Sequence, residues 1–241
     1  SLTMLVAAAL LLSSMAGNAQ EQNSLSAKEK RDGWKLLFDG KTPDGWVGLN
    51  MDRMPEGWIV KDGMLTIKDS GGEQAKHTWD LVTTGEYGAF DLKFDFRMSR
   101  GANSGVKYFV VPSGQGGFGI GLEYQIIDDD VHPDAKMGRN GNHALAGLYD
   151  LIPANKPADI IRPVGEWNTG RIVVYPDNRV EQYLNGVKVL EYVRKSPGFL
   201  DLVKISKYKD IKDFAVAAKG RILLQDHGFE VNFRNIKIKT L

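Results

Sequence analysis

The chain has 241 residues, 42% of them hydrophobic and 25% charged, enough for one large globular domain or two small ones. Lys and Arg total 31 against 30 for Asp and Glu, so no strong field steers the chain to nucleic acid or to an anionic membrane, and an uncharged partner is expected. The absence of cysteine excludes a disulfide framework, lipid attachment through a thiol and a thiol nucleophile.

Residues 1–19 read as a residual export signal. An apolar run from Met4 to Leu12 leads into small residues, with Gly17 and Ala19 placed as at a cleavage site. The run is too short to span a bilayer, so a soluble, exported, periplasmic protein without a membrane anchor is expected. Residues 20–33 form a polar segment, in which a capping box from Ser26 to Glu29 predicts one short helix. From residue 34 onward no repeat, linker or composition break interrupts the chain, and 34–241 are expected to form one domain.

Within that domain, apolar residues recur mainly at spacing two. Strands are predicted at 57–61 and 63–68, joined across Asp62-Gly63, a pair that supplies the positive φ angles of a tight hairpin. Phe90, Leu92, Phe94 and Phe96 alternate with charged residues, Val106, Tyr108 and Val110 with Lys107 and Phe109, and Leu122, Tyr124 and Ile126 with Glu123 and Gln125. Further strands are predicted at 171–175, at 179–184, at 187–193 after Asn185-Gly186, and as two runs within 220–240 joined near Gly228. Many short strands, 27 glycines and no long helical pattern give an all-β sandwich or barrel.

Two motifs fail on context. Gly114 to Gly119 spell G-x-G-x-x-G, but a strand follows where a dinucleotide site needs a helix. Asp128 to Asp134 space ligands like a calcium loop, but Pro133 stands where glycine is needed and Arg139 where a bidentate glutamate is needed. The sequence requires no cofactor. A divalent metal ion held by Asp128, Asp130 and His132 stays open beside the plainer reading of a solvated acidic turn.

The stretch GLEYQIIDDDVHPDAKMG, residues 121–138, holds the main chemical signal. With Leu122, Tyr124 and Ile126 facing the core of a sandwich, Glu123 and Gln125 fall on the outer face of the same sheet. Regular alternation would send Asp128 inward, where a carboxylate is costly. Either the strand ends by Asp128, or a bulge re-aims its side chain so that Glu123, Gln125 and Asp128 line one groove. That spacing resembles the bulged E-x-D-x-x-E strand of concanavalin-like retaining endo-glucanases, but Gln125 cannot relay protons as an aspartate does, which argues against ordinary double displacement.

Seven blocks occur in the order seen in the 3-keto-disaccharide hydrolase family, and the chain closely resembles that family. They are LFDGKTPDGW (37–46), GANSGVKYF (101–109), EYQIIDDDVHPDA (123–135), GLYDLIP (147–153), GEWNTGRIVV (165–174), YLNGVKVLEY (183–192) and RILLQDHGFEVNFRNIKIKTL (221–241). The resemblance implies a single-domain concanavalin-like jelly-roll β-sandwich that cleaves glycosides already oxidised at sugar C3, by net hydrolysis or by elimination. By position it carries over Glu123, Gln125, Asp128, Tyr149, Trp167, Asn168, Asn185, Gln225, His227, Arg234 and Asn235. Phe109 departs from the pattern, standing where many relatives carry a basic residue, with Lys107 two residues earlier on the same expected face.

A ketone at C3 acidifies the C2 proton, so cleavage needs a base, an acid for the leaving oxygen and a cation or donor for the enolate. Glu123 or His143 is the expected base, Asp128 or His132 the acid, and Lys107 or Arg97 the enolate partner. Gln125, Tyr149, Trp79, Gln225 and His227 are the remaining expected sugar contacts, an indole being suited to the apolar face of a carbohydrate substrate. Two alternatives need no base, a carbohydrate-binding jelly roll and a structural one. Glu123 paired with Lys107 or Arg97 across strands, and His227 satisfying a turn, are what they would require.

Overall fold

A computed structural model describes residues 21–72, 79–111 and 119–241. The export-signal segment, residues 1–19, and the glycine loop up to residue 118 lie outside the described residues. In chain order the elements are α1 (Ala27–Arg31), β1 (Lys35–Leu36), β2 (Trp46–Gly48), β3 (Trp58–Lys61), β4 (Met64–Ile67), β5 (Leu81–Thr83), β6 (Phe90–Met98), β7 (Asn103–Val111) and β8 (Ile120–Ile127). They continue with β9 (Asn168–Val174), β10 (Arg179–Leu184), β11 (Val187–Val193), α2 (Pro197–Lys204), β12 (Arg221–Leu224) and β13 (Val231–Thr240). Among the described residues no helix is long and apolar enough to cross a membrane.

Two antiparallel sheets stack face to face as a concanavalin-like jelly roll. One runs β11-β10-β9-β6-β13-β4-β3 with β1 paired to β13, and the other runs β2-β5-β12-β7-β8. The hairpins form where turn chemistry asks for them. Asp62 and Gly63 take φ of 51° and 74°, and Asn185 and Gly186 take 49° and 85°, the doubly positive pattern that suits the twist of the flanking strands. Ser26 and Glu29 close the expected capping box on α1.

Alternation delivers the core. Phe90, Leu92, Phe94 and Phe96 from β6 meet Val106 and Tyr108 from β7 and Leu122, Tyr124 and Ile126 from β8, all essentially buried. Phe94 and Tyr124 pack edge to face at 5.4 Å. Polar pins cross between the sheets. Tyr108 OH donates to Gln182 Oε1 at 3.0 Å and lies 2.7 Å from Tyr192 OH, while Tyr124 OH donates to the Tyr183 carbonyl at 3.1 Å. Each phenol thus keeps a partner in the dry interior.

Regular alternation breaks at Phe109. The β7–β8 register shifts between Tyr108 and Val111, Phe109 takes φ 55°, and its ring joins the main core beneath the Arg194 guanidinium, 3.6 Å away. Val110 turns instead into a small cluster with Val82 and Leu223. Phe109 and Lys107 therefore do not share a face, contrary to the expectation from spacing. A β-bulge, invisible to a period-two count, is the reason.

Gly170 in β9 lies directly opposite Phe94 in β6, and a Cβ there would come within 2.3 Å of the Phe94 ring. The ring is locked in the core, so Gly170→Ala should destabilise the fold by about 1–3 kcal/mol through overpacking. Denaturant unfolding measures this, and an unchanged midpoint would contradict it.

Candidate active site

Glu123 and Gln125 occupy the outer face of the five-stranded sheet, yet neither meets bulk water. Glu123 is 3% exposed and Gln125 0%. The 144–149 segment runs along β8 as an irregular extra strand. Ala146 N–H donates to the Gln125 carbonyl, Gln125 N–H to the Gly147 carbonyl and Tyr149 N–H to the Glu123 carbonyl, at 2.8, 3.1 and 3.0 Å. This covers the open edge of the sheet and carries Tyr149 over it. Turns after α2 bring Lys207, Tyr208 and Ile211 to the same place, and a cavity of about 380 Å³ remains between roof and floor.

The floor gathers Asn103, Lys107, Glu123, Gln125, Gln225 and His227. Lys107 is the cross-strand partner of Glu123, with Nζ 3.8 Å from Oε2. Gln225, two residues beyond Leu223 and on the same face as Lys107, bridges them. In the orientation that satisfies both neighbours its nitrogen donates to Glu123 Oε1 at 3.0 Å and its oxygen accepts from Lys107 Nζ at 3.1 Å, with His227 Nε2 at 3.0 Å from that nitrogen. Gln125 Nε2 and Oε1 and Asn103 Oδ1 are buried without any hydrogen-bond partner. Orphaned amides lining a cavity are groups held ready for a polar ligand.

Electrostatics follow from burial. Loss of water raises the Glu123 pKa, against the opposing pull of Lys107 and Lys207. Burial, with Lys107, Lys207 and His132 nearby, holds His227 down to about 4, so its imidazole is neutral near pH 7. Behind it, Asp226 N–H donates to Asp80 Oδ1 at 2.9 Å and Gly228 N–H to Asp226 Oδ1 at 2.7 Å. These two buried aspartates fix the turn that presents Gln225 and His227. Burial pushes Asp226 up to about 6 and raises Asp80 as well.

A second layer supports the roof. Tyr149 OH donates to Asp134 Oδ2 at 2.9 Å, and His143 is clamped between Asp134 Oδ1 at 2.9 Å and Asp150 Oδ1 at 3.1 Å. Both nitrogens of His143 are engaged, and the residue does not line the cavity. Its place is behind Tyr149, whose phenol is raised by burial and by Asp134.

The structure thus gathers Glu123, Gln125, Lys107, Tyr149, Gln225 and His227, and it sets the other expected residues elsewhere. β8 ends at Ile127 without a bulge, and Asp128 turns away to accept from the Gly101 and Asp130 N–H groups, so it does not line the groove with Glu123 and Gln125. His132 accepts from Asp134 N–H through Nδ1 and packs against Phe229, outside the cavity lining. With Asp128 spent on backbone donors, Asp128, Asp130 and His132 do not fit a metal centre, and among the described residues no group of three such side chains has metal-holding geometry. Arg97 lies on the outer face of the other sheet, over Trp167, with Arg234 on the same indole. Trp79 is half-buried against Gly57 and leaves the cavity unlined by indole. Asn185 Nδ2 donates to Asn168 Oδ1, and Asn235 binds the backbone of Asn23, both as structural ties. Asn103, Lys207, Tyr208 and Ile211 were not singled out from sequence; SKYKDIKDF, residues 206–214, reads as ordinary solvated surface.

Fold and cavity together define a jelly-roll sandwich with acid–base and amide groups gathered under loops on one outer face. The chain belongs to the family of the 3-keto-alpha-glucoside-1,2-lyase-like domain, whose model matches residues 33–239. It is 36% identical, over 92% of its length and 83% of the relative's, to a 3-keto-disaccharide hydrolase of Bacteroides thetaiotaomicron. Among solved structures it resembles two proteins of Parabacteroides distasonis described as glycosyl hydrolases. The first has TM-score 0.80, 30% identity and coverage of 92% of this chain and 100% of that one. The second has TM-score 0.64, 28% identity and coverage of 86% and 99%.

The raised Asp226 pKa fixes the sign of one pH effect. Between 3.8 and about 6 the folded protein holds a proton that the unfolded chain releases, so this group's contribution to stability falls as pH rises through that window. Asp226→Asn keeps the acceptor for Gly228 N–H and removes the buried charge. Thermal denaturation should find the variant more stable than the parent at pH 7, with the gain fading toward pH 4. A gain that ignores pH would refute the assignment.

Proposed function

We propose that the protein cleaves the glycosidic bond of 3-keto-glycosides, and that Glu123 starts the reaction by removing the C2 proton. The observation that carries this reading is the buried Glu123–Lys107–Gln225 cluster on the cavity floor. A carboxylate stripped of water is a stronger base than an exposed one. The ketone at C3 supplies the matching acidity, which an unoxidised sugar lacks.

In this reading the Lys107 ammonium faces the oxygen on which enolate charge develops, and Gln225 keeps Glu123 and Lys107 from collapsing onto one another. Gln125 and Asn103 bind ring hydroxyls with the amide atoms that have no protein partner. Neutral His227 offers a further hydrogen bond to the sugar. Loss of the C1 substituent from the enolate gives an unsaturated ketone, and addition of water to that ketone makes the net result hydrolysis. Family membership and the relative named a 3-keto-disaccharide hydrolase support the same substrate class. With residues 1–19 read as an export signal, the substrate is met in the periplasm.

The purified protein should cleave 3-keto-glycosides and leave their unoxidised parents intact, as followed by NMR. A substrate deuterated at C2 should lose its label to water, and Glu123→Gln should suppress exchange and cleavage together. Cleavage with full retention of deuterium would rule out the enolate route. Tight sugar binding with no turnover would instead mark a carbohydrate-binding jelly roll.

Gly105 gives a subtler test. A Cβ there would sit 2.6 Å from Glu123 Oε1 and push the carboxylate aside. Gly105→Ala should lower kcat by about 10²-fold, the usual cost of an ångström-scale misplacement, with little loss of thermal stability. Parental kcat in this variant would mean that Glu123 is not the base.

A further inference from the structure

Lys207 is a charged group at the cavity that the work of Glu123 and Lys107 leaves unused. It follows α2, lines the cavity beside Tyr208 and Ile211, and rests its ammonium over the Tyr149 ring, 4.1 Å from the centroid. Among the described residues the ammonium has no carboxylate or carbonyl partner. Much of the side chain is open to solvent, unlike buried Glu123. Lys207 therefore touches the cavity on one side and water on the other.

Its position is fixed by a chain of hydrogen bonds. Lys207 N–H donates to Asp150 Oδ2 at 2.6 Å, and the other oxygen of Asp150 holds His143. His143 holds Asp134, which accepts from the Tyr149 hydroxyl. One relay thus sets both the backbone of the lysine and the ring beneath its ammonium. An uncommitted cation is seldom anchored so thoroughly at both ends.

We propose that Lys207 is the general acid for the leaving oxygen, acting from the cavity mouth while Glu123 acts from the floor. The proposal rests on the 3-keto-glycoside reading above. Glu123 takes the proton from C2, and the electrons of that C–H bond form the C1–C2 double bond. The C1–O bond breaks with its electron pair going to oxygen, and Lys207 gives that oxygen a proton. The products are an unsaturated 3-keto sugar and an alcohol; the neutral amine regains a proton from solvent, and Glu123 returns its own to water. Crowding by protein, with Lys107 nearby, lowers the Lys207 pKa from the ordinary lysine value, which makes the ammonium a readier donor. With the acid at the mouth, the departing alcohol points toward solvent, and selectivity resides in the sugar ring held below.

Leaving-group acidity tests this directly. Parent, Lys207→Ala and Lys207→Arg are compared on a 3-keto-glycoside with an alkyl or sugar leaving group and on one with a nitrophenyl leaving group, which departs without protonation. The alanine variant should lose about 10²- to 10⁴-fold in kcat on the alkyl substrate, the usual contribution of a positioned acid, and less than about tenfold on the nitrophenyl one. Arginine keeps the charge but holds its proton too tightly to donate it, so it should fail to rescue the alkyl substrate. Equal losses on both substrates, or rescue by arginine, would overturn the assignment and leave Lys207 as a charge or packing group. Should the alanine variant not fold, Lys207→Met carries the same comparison. Inactivity of the parent on every 3-keto-glycoside would overturn the underlying reading instead, and the two failures are thereby distinguishable.

Discussion

Glu123 is a carboxyl enclosed by protein on the sheet face that a β-sandwich ordinarily leaves wet, and much of the surrounding architecture serves to keep it there. Enclosing an ionisable group disfavours its charge, and the penalty is tolerable only with partners at hand. Lys107 comes from the neighbouring strand and Gln225 from the next, so all three are set by sheet register rather than by loop conformation. The missing side chain at Gly105 leaves the volume into which the carboxylate folds. The roof excludes water, and it is held by hydrogen bonds to the very strand that carries Glu123.

That arrangement separates two kinds of support. The floor is rigid because it is sheet, flanked by a core in which Tyr108, Tyr124 and Gln182 lock the two layers against sliding. The roof is irregular backbone made stiff by buried polar contacts, with His143 as their hub. Asp80 and Asp226 do a comparable job for the turn at the end of β12. Buried acids that take no part in chemistry are expensive, and here each is satisfied by backbone N–H groups of the segment that it positions.

Much of this was legible in the sequence because the signals were local. The hairpins β3–β4 and β10–β11 declared themselves through Asp62-Gly63 and Asn185-Gly186, and alternation in β6 and β8 assigned core and outer faces correctly. Glu123, Gln125 and Lys107 followed from that alternation and from the family resemblance. β2 and β5 are three residues each, too short for a period to show, and α2 was passed over although Ser196 caps it and Pro197 opens it. The bulge at Phe109 depends on Gly220, whose position a Cβ would bring within 2.5 Å of the Phe109 backbone, a contact between residues far apart in the chain. The fates of Asp128, His132 and His143 were hidden for the same reason. A histidine between two aspartates reads as a catalytic base until the fold shows which way it faces.

The loop between Asp128 and Ala146 is pinned at both ends. Asp128 N–H donates to the Ala102 carbonyl at its start, and Ala146 N–H to the Gln125 carbonyl at its close. Its ends are thus set by the sheet, whatever lies between them, and closing a longer loop costs only about 0.6 kcal/mol per doubling of length. Exposed positions such as Met137 and Asn140 lie at its far side, away from the pinned ends. The fold therefore offers a stretch of chain that can grow or shrink over evolutionary time and reshape the ground near the cavity, while Glu123, Lys107 and Gln225 stay in register.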